Sequence, residues 1–247
     1  MKIEGKNAVM EALKAGTTID RLVVAKGLSD PTSQKIIVEA KSRAIKIFFR
    51  DKEALERESI TKKHQGFIAE ITDYKYADLN DILSQNESKS TNIILLLDGI
   101  EDPHNLGSII RVAECMGVSG ILIPRHRSVS VNETVIKVSA GASQHIKIAK
   151  VTNLNDAIKT IKEADYFVYA VERAKESQNI FTTNFANNTA LVIGGEGKGI
   201  HALTQKNCDA IVEIPMYGKL NSLNASVACG IALQAVTQHL TPSPQPK

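Results

Sequence analysis

The feature that most constrains this chain is a series of short, almost uninterrupted apolar runs in its C-terminal part, at residues 93–97, 120–123, 166–171, 190–193 and 210–214. A strand without a polar face has no side to turn to water, so it must be covered on both faces. Stretches with helical spacing separate most of these runs, and strand, helix, strand in repetition predicts an α/β domain built on a parallel sheet. The last helix is expected over residues 222–240, where Leu223, Val227, Ile231, Leu233 and Val236 recur near helical spacing. The proline-rich T-P-S-P-Q-P-K that follows predicts a disordered tail at 241–247.

The N-terminal part has a similar but smaller pattern. Apolar runs at 22–25, 45–49 and 66–71 alternate with helix-like runs at 7–14 and 31–44, which predicts a small α/β unit over residues 1–76. Between the units lies a segment ending in S-Q-N-E-S-K-S-T, without an apolar residue from Ser84 onward, so residues 77–91 are read as a linker and 92–240 as the second domain. A length of 247 residues accommodates both, and 43% hydrophobic with 23% charged residues is ordinary for a soluble protein. No secretory h-region opens the chain and no run nears the ~18 apolar residues that span a bilayer, so a cytoplasmic protein without a membrane partner is expected.

Charge is unevenly divided. Residues 1–76 carry fifteen Lys and Arg against eleven Asp and Glu, whereas residues 91–247 carry fourteen against thirteen. An excess of four positive charges fits a unit that meets phosphates, with Lys62, Lys63 and His64 as a local cluster, although a solvated surface explains it as well. Cys115, Cys208 and Cys229 lack the spacing of a metal site and read as small buried hydrophobes. His126 and His145 have no carboxylate pattern between them, and no metal is expected.

Three glycine-containing loops each follow an apolar strand, the place where ligands gather in an open α/β sheet. In D-G-I-E-D-P-H-N-L-G-S-I-I-R, Asn105 is positioned to cap a helix starting near Gly107, and Arg111 would lie one turn into it. A cap alone and a surface cation are the plain alternatives for these two residues. The second loop, I-G-G-E-G-K-G, has glycine at four of the six positions 194–199, a density that costs entropy in a regular element and predicts a sharp turn with backbone close to a ligand. It is not a P-loop, because Val192 and Gly199 stand where Gly and Ser or Thr are required. The third, I-P-M-Y-G-K-L-N-S-L-N-A-S-V-A, joins the last strand to the last helix, and Ser222 or Asn224 can supply polar groups at the helix start.

Together, N-L-G-S-I-I-R, G-G-E-G-K-G and I-P-M-Y-G-K-L-N-S-L-N-A-S-V-A resemble the three ordered motifs of the SpoU/TrmH branch of the SPOUT RNA methyltransferases. G-K-N-A-V-M-E-A-L near the start and H-Q-G-F at 64–67 resemble that family's N-terminal substrate-binding domain, which is similar to ribosomal protein L30e. The resemblance implies a deep trefoil knot in the C-terminal domain, S-adenosylmethionine as cofactor, RNA as partner and a homodimer through the last helix. It implies transfer of a methyl group to a ribose 2′-hydroxyl of structured RNA, a guanosine of 23S ribosomal RNA. Ribose methylation of transfer RNA and non-catalytic RNA binding in ribosome assembly are the alternatives.

By resemblance, Gly194, Gly195, Gly197, Ile214, Met216 and Leu223 bind the cofactor, and Arg111, Asn105, Glu196, Ser222 and Asn224 carry the catalysis. Arginine is a poor source of free base, because a guanidinium holds its proton across the ordinary pH range. Arg111 is therefore expected to stabilise developing negative charge and orient phosphate, while Asn105, Glu196, Ser222 and Asn224 hold it and the ribose.

Overall fold

The computed structural model describes residues 2–72, 74–84 and 91–240; the expected disordered tail and the end of the expected linker lie outside them. The N-terminal unit runs β1 (Lys2–Glu4), α1 (Lys6–Lys14), β2 (Thr18–Ala25), α2 (Pro31–Ser42), β3 (Lys46–Arg50), α3 (Lys52–Glu58) and β4 (Phe67–Thr72). Its sheet has the order β1-β4-β2-β3, with only β2 and β3 parallel. Alternate residues point to opposite faces. Leu22, Val24, Phe67 and Ala69 meet Val9, Leu13 and Ile36 of the helices, while Val23 and Ile68 meet Leu55 of α3. In α3, K-E-A-L-E-R-E buries only that leucine, so it carries no apolar period for sequence reading to find.

The second unit runs β5 (Asn92–Asp98), α5 (Pro103–Cys115), β6 (Gly120–Pro124), α6 (Glu133–Val138), β7 (Lys147–Val151), α7 (Leu154–Glu163), β8 (Phe167–Val171), β9 (Gln178–Asn179), β10 (Asn188–Gly194), α8 (Ala202–Asn207), β11 (Ala210–Glu213) and α9 (Ala225–Leu240), with α4 (Leu79–Ser84) preceding it. Seven parallel strands lie in the order β7-β6-β5-β10-β8-β11-β9. Every residue of β5 is buried, as the apolar run demands: Ile93, Leu95 and Leu97 pack under α5, α6 and α9, whereas Ile94 and Leu96 pack under α4 and α7. The chain leaves β5 toward β6 and β7 on one side and fills the other with β10, β8 and β11, so the direction of winding reverses between β5 and β10. Ligands of open α/β sheets collect beyond the strand ends at such a reversal.

The segment read as a linker is in part built into this sheet. Ala77 donates its N–H to Ile148 at 2.9 Å, and α4 buries Ile82 so closely on β6 that a Cβ at Gly120 would stand 2.6 Å from it. The units also meet directly: Arg127 N–H donates to the Ser42 carbonyl at 2.7 Å, and His126 Nδ1 lies 3.3 Å from Ser42 Oγ. Of the three cysteines, only Cys229 is buried; Cys208 is half-buried and Cys115 exposed on α5, so the expectation of three buried thiols is corrected. Among the described residues no helix is long and apolar enough to cross a membrane, and no group of three or more His, Cys, Asp or Glu converges as a metal site.

Candidate functional site

The loops after β5, β10 and β11 converge, and glycine is what lets them do so. Gly195 donates its N–H to the Asp98 carbonyl at 2.8 Å, and a Cβ there would stand 2.0 Å from the Gly99 carbonyl oxygen. A Cβ at Gly194 would meet the Gly199 backbone at 2.4 Å, and one at Gly199 the Glu172 carboxylate at 2.3 Å. Gly194 and Gly195 therefore serve close approach of backbone to backbone, while Gly199 adds a φ of 63° to its contact with the Glu172 side chain. Gly197 is different, because its φ of 83° needs a residue without Cβ strain while its surroundings are open. Asp98, buried at the end of β5, accepts from His201 N–H at 2.9 Å with its other oxygen 2.9 Å from His201 Nδ1, which ties the end of this loop to the sheet.

The first loop differs from its sequence reading. Asp102, not Asn105, caps α5: its carboxylate accepts from His104 N–H at 2.8 Å, and Pro103 occupies the first helical position, where its missing N–H costs nothing. The helix thus starts four residues before Gly107. Asn105 falls in the first turn with its side chain buried, and Arg111 lies roughly two turns in, on an exposed stripe of α5 with His104 and Cys115. Among the described residues Arg111 makes no hydrogen bond or ion pair, and it lines no part of the cavity described below, so within a single chain Asn105, Glu196, Ser222 and Asn224 do not hold it.

The side chain that joins the loops is Asn224. Its Nδ2 donates to Glu196 Oε1 at 2.8 Å and to Asn105 Oδ1 at 2.9 Å, while Asn105 Nδ2 donates to the same Glu196 oxygen at 2.7 Å. Its Oδ1 accepts from Ser226 N–H at 2.9 Å and Ser226 Oγ at 2.7 Å, capping α9. Both ends of the amide have partners that admit only one orientation, so the three side chains form a closed triangle. Asn105 comes from the first turn of α5 and the other two from the loops after β10 and β11, which makes the triangle a product of three converging segments.

Beside it opens a cavity of about 530 Å³ at the ends of β10, β8 and β11. Gly194, Gly195, Gly197, Ile214, Met216 and Leu223 all line it, with Glu196, Ser222 and Asn224. Asn105 borders the adjoining cavity on the far side of Glu196. The walls also include Glu172, Arg173 and Glu213, which sequence reading passed over; Arg173 Nη1 donates to Asn221 Oδ1 at 3.3 Å. Their signal was positional, since each stands at or just after the carboxyl end of β8 or β11. Exposed peptide groups, apolar Ile214 and Met216, and three carboxylates against the two cations Arg173 and Lys198 suit a ligand with a flat apolar part and a positive charge better than a polyphosphate.

In the N-terminal unit His64 is buried, its Nδ1 accepting from Gly66 N–H at 3.0 Å and its Nε2 lying 3.3 Å from Glu56 Oε1. It supports the turn before β4 and is not part of a phosphate-facing cluster. Lys62 folds back onto the Glu56 carbonyl, and Lys63 is exposed.

The family model described as SpoU rRNA Methylase matches residues 92–234, and the one described as RNA 2′-O ribose methyltransferase substrate binding matches residues 2–77. YacO of Bacillus subtilis, named for the TrmH family of tRNA/rRNA methyltransferases, is 40% identical over 240 residues, which span 96% of this chain and 95% of that protein. The AdoMet-bound rRNA methyltransferase of Sinorhizobium meliloti aligns with a TM-score of 0.62 at 25% identity over 97% of this chain and 87% of its own. The SpoU methyltransferase AviRb of Streptomyces viridochromogenes in complex with the cofactor AdoMet also gives 0.62, covering 98% and 91%; at 19% identity it is a likeness of fold.

Proposed function

This chain belongs to the SpoU rRNA methylase family, and from that premise we propose that it transfers a methyl group from S-adenosylmethionine to a ribose 2′-hydroxyl of structured RNA in the cytoplasm, the target being a guanosine of large-subunit ribosomal RNA. The observation that carries the reading is the cavity of about 530 Å³ bounded by Glu196 and Asn224 of the three-residue triangle. S-adenosylmethionine supplies, when bound, a methyl group activated on a positive sulfur. It fits the donor set: peptide groups of Gly194, Gly195, Gly197 and Ile214 for the polar edges of an adenosine, Met216 and Leu223 for its faces, and the carboxylates of Glu172, Glu196 and Glu213 for a cation.

The chain's own residues then have separate tasks. Asn105 and Asn224 hold the Glu196 carboxylate in one orientation, and Ser222 on the cavity wall offers a hydroxyl to the ribose. Arg111 stabilises negative charge developing on the 2′-oxygen, leaving the proton to phosphate or water. Because Arg111 faces away from its own cavity, this role goes with a homodimer. Tyr217 and Leu220 in the loop before α9, and Val227 in its first turn, are 97%, 80% and 49% exposed, an apolar surface that a second copy would cover next to α5. The reading includes the trefoil knot that membership of this family implies.

Transfer RNA is a second reading, favoured by the name of the Bacillus subtilis relative, which covers both RNA classes. Incubating the purified protein with S-adenosylmethionine and total bacterial RNA, then mapping ribose methylation at nucleotide resolution, decides between them. A new 2′-O-methylguanosine in large-subunit rRNA is expected. Methylation confined to tRNA overturns the rRNA target, and methylation on a base overturns the ribose assignment.

A further inference from the structure

A separate cavity, of about 350 Å³, lies at the seam of the two units. Gly16, Thr17 and Thr18, after α1, form one wall, and Tyr76, Arg125 and Lys150 form much of the other. Nothing in the proposed methyl transfer uses it.

Its peculiarity is a cation that pairs with no carboxylate among the described residues. Lys150, largely buried, donates to Ser130 Oγ at 2.7 Å and stands 4.5 Å from the centre of the Tyr76 ring. An ammonium has three donors, and a hydroxyl and a ring face leave at least one unused. Among the described residues neither Lys150 nor Arg125 pairs with a carboxylate. The charges that bear on Lys150 are Arg43 and Arg125, and Arg43 is already neutralised by Glu39, whose Oε1 accepts from its Nε at 2.9 Å. Asp78 is also on the cavity wall, but it is exposed to water. Burial, with Arg43 and Arg125 close by, lowers the Lys150 pKa to about 8, as befits an ammonium without a carboxylate beside it.

Buried charges are ordinarily paired. The remaining donors here converge on one space. Arg125 reaches across the seam until its Nη1 lies 3.2 Å from where a Cβ of Gly16 would be. Tyr76 OH accepts from Val131 N–H at 2.8 Å, so its own proton can go to Thr18 Oγ1 at 3.3 Å, freeing the threonine hydroxyl to donate into the cavity. A tetrahedral oxyanion with several acceptor oxygens satisfies an ammonium, a guanidinium and a hydroxyl at once. A carboxylate would leave some of them unmet.

We propose that this seam cavity is a phosphate-binding site in which Lys150 and Arg125 of the second unit and Thr18 of the first grip one phosphate group. An RNA phosphodiester and free inorganic phosphate share that chemistry; the RNA source rests on the function proposed above, whereas the anion site does not. With RNA as the source, a phosphate remote from the methylated ribose locks the two units in one relative orientation.

The test follows Lys150 acylation by acetic anhydride in the intact protein, read by mass spectrometry with exposed Lys35 and Lys175 as internal controls. At roughly ten times its Kd, inorganic phosphate should slow Lys150 modification about tenfold while chloride at equal ionic strength does not. Protection by a short RNA at far lower concentration identifies the phosphodiester as the source. The Lys150→Met, Arg125→Gln double variant should bind S-adenosylmethionine as the wild type does, with the salt slope of its RNA binding reduced by about 0.7–0.9 for each lost contact. Protection by neither phosphate nor RNA, in a protein that still methylates RNA, overturns the site. Protection by phosphate in a protein that methylates no RNA supports the site and overturns the proposed function instead.

Discussion

Asn224 donates its side-chain amide to Asn105 across 119 residues of chain, at 2.9 Å, and both amides then meet on one oxygen of Glu196. This relationship holds two loops against a third, and its disturbance is the first prediction. Asn105→Asp places a second carboxylate against Glu196, so the triangle opens by like-charge repulsion. Methylation should fall roughly 10- to 100-fold, the usual result of displacing positioning groups, with little change in the far-ultraviolet spectrum. Unchanged activity in steady-state assays would show that the triangle merely closes the loops.

Arg111 is exposed, so replacing it should leave the monomer fold intact. Arg111→Ala is expected to keep S-adenosylmethionine affinity by calorimetry but to lower the methylation rate by roughly 100-fold or more, as for a lost electrostatic stabiliser. Arg111→Lys keeps the charge without the planar fork, so its rescue or failure separates plain charge from bidentate positioning. Wild-type rates in Arg111→Ala at saturating RNA refute the assignment.

Gly195→Ala drives a methyl group to within 2.0 Å of the Gly99 carbonyl, a backbone atom that cannot swing aside. The cost should exceed the ~1–3 kcal/mol of ordinary overpacking and appear as a lower unfolding temperature with lost cofactor binding. At Gly218 nothing lies within 4 Å of the equivalent Cβ. Gly218→Ala should change stability by no more than about 0.5 kcal/mol, and equal effects of the two substitutions would contradict the close approach.

Lys150 gives a pH signature. Its pKa in the fold, about 8, lies below its ordinary 10.5 because of burial and the neighbouring arginines. Between those values the unfolded chain holds a proton that the native state has released, so stability rises with pH through this window. The penalty is fully present below about pH 8 and is relieved as pH climbs toward 10.5. In phosphate-free buffer the stability difference between Lys150→Met and wild type should shrink as pH climbs through that range; a difference independent of pH would count against it.

The apolar start of α9 predicts assembly. Light scattering should give twice the chain mass of 26.8 kDa, and Val227→Asp, which puts a charge on the exposed face, should yield monomers with strongly reduced activity. An active wild-type monomer at micromolar concentration would refute the dimer.

The residues themselves determined a great deal of this protein. Residues 93–97 could only be a strand covered on both faces, because no polar side was offered to water, and the apolar runs at 120–123 and 190–193 carry the same logic. The glycine density at 194–199 announced a loop that regular structure excludes. Less was legible where local pattern is weak: Lys147–Val151 carries lysines at two of its positions, 147 and 150, and Lys52–Glu58 buries a single leucine, so β7 and α3 left no period to read. Tertiary structure decided which partner each polar group meets. Asp102 took the cap expected of Asn105 because the helix began earlier, freeing Asn105 for Glu196 and Asn224. It likewise turned Arg111 outward and enclosed Lys150 between two units. Hydrogen bonds and charge pairs are short-ranged, and groups 119 residues apart in sequence become partners only when loops from separate strands meet in space.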